Sequence, residues 1–476
     1  MIRPSELTEA ALTASKADEC IVLLTETSEA NLRWANSTMT TNGHTTTRSF
    51  SVISVVEGSG GPSVGGPSVG GPSVGPSVGT VSGNGADLDE VYAVVAASEQ
   101  AARQSGPARD VAPLVEGTAE DDFDTPGATT EIEVFARLAD ELAAAFRDTG
   151  ASARQLLYGF AEHRVATTWL ASSTGLRRRW VQPTGTVELN AKVADDLTRS
   201  AWAGAYTADF TDLDFTAITA EVRRRLGWSQ RQLELPAGRY ETILPPSAVA
   251  DLMIYMALTM EGRTTHEGRT AFSAPQGGTR LGERLTDLPL TLSSDPAAAG
   301  LQTSPFLATA ASDDSASVFD NGAPTHRVDW LSDGTINALA YPRAAAQELG
   351  GQFTPPPDNL LLTGGSSAAS IEDLVARTER GLLLTCLWYI REVDPTSLLL
   401  TGLTRDGVYL VEGGEVVGQV NNFRFNESPI DLLRRTSEVG ATQRTLSREW
   451  NDWFARTAMP PIRVPDFNMS SVSPAS

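Results

Sequence analysis

Residues 381–429 read GLLLTCLWYIREVDPTSLLLTGLTRDGVYLVEGGEVVGQVNNFRFNESP, and their pattern decides the fold class. Residues 382–390 are an apolar run rich in leucine and aromatics, the mark of a strand buried in a sheet. Asp394-Pro395 ends it, and residues 397–404 form a second run. Asp406-Gly407 reads as a hairpin turn, because such turns need positive φ. Residues 408–411 return, Gly413-Gly414 turns the chain again, and residues 415–425 run out. An antiparallel meander of about four strands is expected.

Upstream, residues 371–379 read as a helix leading into the meander. Residues 247–261 read as a second helix, with Pro245-Pro246 before it and Ser247 as its cap. Val249, Leu252, Met253, Ile254, Met256, Leu258 and Met260 leave that helix little polar face, so it is expected to be buried. Between the two helices, Asp320-Asn321-Gly322 and Asp333-Gly334 are turns around short strands.

Leu235-Pro236-Ala237-Gly238 reads as a boundary. Before it, a helix at 6–14 precedes strands at 20–25, 30–35 and 46–56. Helices are expected at 87–105, 130–148 and 215–226. The second of these has Phe135, Leu138, Leu142 and Phe146 on one face and Thr129 or Thr130 as cap. Residues 154–195 read as four short strands, and 106–128 as an acidic Pro/Gly-rich linker. Four copies of Gly-Pro-Ser-Val begin at Gly61, Gly66, Gly71 and Gly75. Repeated Pro and Gly build no packed core, so residues 58–85 are expected to be a loop at a hairpin tip, with a recruitment tail as the alternative. The fold class is therefore α+β in two parts. Residues 1–236 carry a mixed sheet with flanking helices, and residues 237–476 carry a β-rich domain with an antiparallel meander around a buried helix.

The chain has 476 residues and a net charge of -22, with a pI of about 4.6. Such a surface repels phosphate backbones and anionic lipid, which argues against direct nucleic-acid or membrane binding. The two cysteines, Cys20 and Cys386, make no disulfide framework, and no apolar run is long enough for a membrane span. The N-terminal residues lack the apolar core of a signal peptide, so a cytoplasmic location is expected.

Only four histidines are present: His44, His163, His266 and His326. His266-Glu267 lacks the second histidine of a zincin helix, and it reads as an exposed loop. His44 falls in an expected hairpin turn, and His326 after a turn within a strand. Cys386 reads as a buried structural thiol rather than a nucleophile. Neither a Gly-x-Ser-x-Gly elbow nor a Walker loop occurs. Arg391, Glu392, Asp394, Arg405 and Asp406 cluster around the meander turns. With Asn422 and Arg424 on the following strand, Arg391, Asp394, Arg405 and Asp406 are the candidate peptide- or partner-binding residues. No catalytic constellation emerges from the residues alone.

Several stretches resemble the TldD/PmbA family, also called TldD/TldE peptidases or modulators of DNA gyrase. LRWANSTMTTNGHTTTRSFSVISVV is similar to the family's first paired strands. FDNGAPTHRVDWLSDGTINALAY resembles its Asp-x-Gly-x-Pro turn and following hairpin. SIEDLVARTERGLLLT and DPTSLLLTGLTRDGVYLVEGGEVVGQVNNFRFNESPIDLL are similar to its helix-to-sheet entry and C-terminal sheet. The resemblance implies a heterodimeric cytoplasmic zinc peptidase acting on unfolded proteins or peptides. One subunit bears His-Glu-x-x-x-His on the buried helix and a late cysteine ligand; its partner shares the fold without the metal site. That motif precedes a Glu-Gly pair, matched here by Glu261-Gly262. The first histidine then falls on Met253, the glutamate on Ile254 and the second histidine on Leu258, and no cysteine follows Cys386. The resemblance thus implies the subunit without catalytic or metal-binding residues, needing no cofactor itself, with zinc in a TldD-like partner. An unrecognised hydrolase site and a stand-alone peptide-binding scaffold are the alternatives.

Overall fold

The computed structural model describes residues 2–58, 75–84, 87–149, 154–365 and 368–474. The N-terminal half is organised on a six-stranded sheet: β1 (Glu19–Ala35), β2 (Thr38–Val56), β3 (Ser77–Gly83), β4 (Gln155–Ser172), β5 (Arg177–Val193) and β6 (Asp196–Thr207). The spatial order is β3-β2-β1-β4-β5-β6, all antiparallel. The strands are longer than the sequence pattern suggests. Residues 20–25 and 30–35, read as two paired strands, are one strand that pairs with β2. The four short strands of 154–195 are β4 and β5. The polar residues at 26–29 continue the ladder because Glu26 meets Arg48 and Ser28 bonds Thr130. His44 is consequently not in a turn; it lies in β2 opposite Ala30, and the turn is Asn36-Ser37, with φ of 51° and 56°.

Continuous apolar runs in β1 have a simple cause: both faces are covered. Val22 and Leu24 face α1 (Pro4–Ala14) and α2 (Leu88–Gln104), in a core with Leu7, Val91 and Trp169. Ile21 and Leu23 face the other way, onto Phe306, Val318 and Phe319 of the C-terminal half. Further along, Leu32 and Trp34 pack under α3 (Ala136–Asp148) and α4 (Phe215–Trp228). Residues 132–135 begin α3 as a 3-10 turn, and Thr130 does not cap it. The Thr130 Oγ1 bonds His163 Nδ1 at 2.6 Å instead. Three copies of the repeat fall on residues 59–74, outside the described residues. The last copy, Gly75 to Val78, runs into β3 rather than remaining loop. The 106–128 segment is pinned to the sheet: Glu120 N–H donates to Arg177 O, and Trp169 Nε1 donates to Phe123 O.

The C-terminal half wraps two sheets around α5 (Pro246–Leu258). The larger is ten-stranded, and its main path begins with 387–394, 399–404, 423–427 and 462–472. It continues through 238–244, 380–384, 408–412 and 415–420 to 232–233. The expected meander is therefore not contiguous. Leu387–Asp394 pairs with Leu399–Thr404, and Val408–Glu412 with Glu415–Val420, but four other strands separate those hairpins. Asp406-Gly407, at φ of 49° and 132°, is a crossover rather than a hairpin turn. The single apolar run 382–390 is two strands broken at Thr385-Cys386, which places Cys386 in a buried break rather than mid-strand. The smaller, six-stranded sheet contains Thr291–Ser294, Val328–Ser332 and, at one edge, Gln443–Thr445. His326 is exposed just before Val328–Ser332, and His266 ends a one-turn helix, half-buried, its ring 6.2 Å from that of Tyr341. Among the described residues no helix is long and apolar enough to cross a membrane.

Candidate functional site at the domain junction

Helix α5 starts on Pro245 and Pro246; Pro245 is the N-cap, so Ser247 lies inside the helix. Met253 and Ile254 are fully buried in the C-terminal core, whereas Leu258 is 36 % exposed at the helix end. These three positions do not form a metal site. Thioether and hydrocarbon groups offer zinc neither imidazole nitrogen nor carboxylate oxygen. Among the described residues no group of three or more His, Cys, Asp or Glu side chains is placed to hold a metal ion. Both cysteines are buried; burial pushes the Cys20 thiol up to about 11 and Cys386 well above its ordinary value, so both stay protonated.

The Glu261-Gly262 pair has a structural cause. Gly262 N–H donates to Ala340 O at 2.8 Å, and a Cβ on Gly262 would lie 1.9 Å from Tyr341 Cε1. Gly262→Ala should therefore push the buried Tyr341 ring out of place and cost about 1–3 kcal/mol in denaturant unfolding. A wild-type midpoint would show that the ring yields freely.

One acidic residue interrupts α5. Asp251 is fully buried, its Oδ1 accepts from Glu449 N–H at 2.8 Å, and its Oδ2 has no partner among the described residues. Burial pushes its pKa well above the usual carboxylate range; the Glu449 N–H bond pulls down, and the Glu449 charge pushes up. The Glu449 carboxylate in turn accepts from Tyr389 N at 2.9 Å, Ile390 N at 3.0 Å and Arg391 Nη1 at 3.2 Å. Tyr255 Oη accepts from Glu392 N at 3.2 Å. The edge strand Leu387–Asp394 thus has these amides occupied by side chains. A raised folded pKa means that the stabilising contribution of Asp251 is complete below its unfolded pKa and is lost as pH rises through its folded pKa. Asp251→Asn should keep the Glu449 bond and flatten that decline. Unfolding midpoints measured from pH 5 to 9 check this, and parallel curves for the two proteins would refute it.

Arg448 ties the halves together. Its guanidinium lies 4.2 Å from the Trp388 ring centroid and 5.5 Å from that of Trp202 on β6, and it pairs with Glu188 of β5 at 3.2 Å. Trp202 Nε1 also donates to Glu188, at 2.8 Å.

The residues singled out from sequence divide among several places. Arg391 and Arg424 flank Thr401 on neighbouring strands: Arg391 pairs opposite Thr401, and Arg424 Nη1 reaches Thr401 Oγ1 at 3.4 Å. Asp394 is spent on its own turn, accepting from Thr396 and Ser397, whose hydrogen bonds hold its pKa low. Asp406 is buried at the junction, where Ser200 Oγ of β6 donates to it at 2.5 Å; Arg405 lies 3.7 Å from it. Asn422 Oδ1 accepts from Thr404 Oγ1 at 3.2 Å. Asp251, Arg448 and Glu449 were not singled out. The available signal for Asp251 was its place as the lone acid in an otherwise apolar helix.

Beside this junction runs a cleft of about 650 Å³. One wall is residues 202–206 of β6, an edge strand, and another is Gln443–Thr445, the edge of the smaller C-terminal sheet. Helix α4 and the Pro245-Pro246 start of α5 complete it.

The description "PmbA/TldA metallopeptidase C-terminal domain" matches residues 237–471, and "PmbA/TldA metallopeptidase central domain" matches residues 122–230. The chain belongs to the PmbA/TldD family. Solved structures share the fold. TldE from Thermococcus kodakarensis is similar at TM-score 0.76 and 14% identity, over 97% of this chain and 98% of that one. A putative modulator of a DNA gyrase from Thermotoga maritima gives 0.73 and 17%, over 97% and 99%. A putative modulator of DNA gyrase from Bacteroides thetaiotaomicron gives 0.73 and 15%, over 98% of both chains. No curated protein matches.

Proposed function

We propose that this chain is the TldE-like subunit of a two-subunit cytoplasmic zinc peptidase. In this reading a TldD-like partner carries zinc on His-Glu-x-x-x-His, and this chain walls the chamber that receives unfolded polypeptide or peptide. The observation that carries the reading is α5: where the family's metal motif falls, the helix presents Met253 and Ile254 to the core. The cleft between β6 and Gln443–Thr445 supports the peptide part, since two neighbouring sheet edges offer main-chain hydrogen bonds to an extended chain with little regard for its sequence. Co-expression with a family member bearing His-Glu-x-x-x-His should yield a stable complex that cleaves unfolded peptide faster than the partner alone. Stoichiometric zinc on this chain by itself, or equal cleavage by the partner alone, would refute the reading.

A further inference from the structure

Two arginines are buried among the described residues, Arg225 and Arg456, and Arg225 has Glu221 at 2.7 Å. Arg456 differs. It is only 8 % exposed, yet among the described residues no carboxylate oxygen comes within 4 Å of it. Its hydrogen-bond partners are neutral, and the one carboxylate that acts on it, Asp358, does so from beyond 4 Å. Nη2 donates to Thr184 Oγ1 of β5, the guanidinium lies 5.9 Å from the Tyr206 ring centroid, and the buried Nε has no partner among the described residues. Removing a guanidinium from water without a counter-charge is costly, so a position that keeps one is suited to an anion that arrives later.

Arg456 lines a cavity of about 280 Å³ between the face of β4 and β5 and the 451–456 segment. Thr184 and Thr186 supply neutral hydroxyls, and Phe160 and the half-exposed Trp453 supply an apolar shelf. Three acids also line it. Glu188 is already engaged by Arg448, Trp202 and Asn451, and Glu162 lies 3.6 Å from Arg164. Asp452 is exposed at the rim. The cavity therefore offers at its wall a cation with no carboxylate in contact, while Glu162 shares Arg164 with Glu29 and Asp452 stands at the mouth.

We propose that this cavity is a carboxylate-binding subsite in which Arg456 receives the C-terminal carboxylate of a peptide. The last side chain lies on Trp453 and Phe160, and a cationic tip is favoured by Asp452. The planar guanidinium matches a carboxylate through paired N–H donors. The carboxylate assignment stands on the cavity; its owner being a peptide rests on the chamber reading above.

The test uses the full chain and two probes, the tripeptide Gly-Ala-Lys as free acid and as C-terminal amide, followed by calorimetry or by NMR titration. The acid should bind at least tenfold more tightly than the amide, and Arg456→Met should abolish the difference. Equal binding of acid and amide, or no binding of either, would overturn the subsite and leave the chamber reading standing, since that reading rests on the separate cleft beside β6 and is tested with the partner. Inorganic phosphate binding more tightly than the acid would also overturn it, by making the site one for a different anion. The ligand-free melting temperature supplies a second check. Arg456→Met should hold or raise it, because a buried charge with no carboxylate in contact is lost; a fall of several degrees would make Arg456 a structural brace and overturn the proposal.

Discussion

Ile254→Glu is expected to unfold the C-terminal half. The substitution puts an acid where the proposed reading places that of the metal motif, but at a position with no exposure, among Leu252, Met256 and other side chains of one apolar core. Either the carboxylate ionises there without a partner, or it is held protonated at the cost of a shifted pKa. In both cases the loss is about 4 kcal/mol or more, at the severe end of single substitutions. Ile254→Met, which keeps volume and polarity, should cost less than about 1.5 kcal/mol. Leu258→His should be nearly neutral, since Leu258 already meets solvent. Soluble yield and urea midpoints for the three variants check this ordering. An Ile254→Glu protein as stable as the parent would show that the helix interior is open enough to house a metal site.

Asp320→Ala should cost about 3 kcal/mol through a different mechanism. Asp320 is the first residue of the family's Asp-x-Gly-x-Pro turn, and its side chain is 1% exposed. Its Oδ1 accepts from Arg343 Nε at 2.6 Å, and its Oδ2 from Arg343 N–H at 3.1 Å, at the start of the helix Arg343–Leu349. Arg343 Nη2 then donates to Pro113 O at 2.8 Å, in the segment pinned along the N-terminal sheet. Truncating Asp320 leaves that guanidinium, itself only 29% exposed, without its counter-charge. Two transitions in place of one, with the N-terminal half melting separately, would extend the prediction by showing that this pair couples the halves. An unchanged midpoint would show that water replaces the carboxylate.

Local turn chemistry and apolar periodicity were readable from sequence: Asp333-Gly334 at positive φ, a helix starting at Ile371, and the burial of α5 all follow from near neighbours. Strand partners were not. Residues 26–29 look polar enough to end a strand, yet partners far away in the chain, Arg48 and Thr130, carry them through. Asp406-Gly407 has the residues of a hairpin turn, but Ser200 of another domain claims the aspartate and the chain crosses to a distant strand. The candidate site was half legible. The burial of Met253 and Ile254 follows from the apolar pattern of their helix. The roles of Asp251, Arg448, Glu449 and Arg456 depend on contacts with β5, β6 and the strand Leu387–Asp394, which no local window contains.

The place of the strand Ile462–Val472 has a consequence for biosynthesis. It lies between Phe423–Glu427 and Gly238–Leu244 and is hydrogen-bonded to both. A ribosome delivers it after every other strand of that sheet, so the nascent chain carries two half-sheets with open edges until this strand emerges. Chaperone capture during translation, and sensitivity to premature stops upstream of Ile462, are the cellular costs of closing a sheet with its last strand.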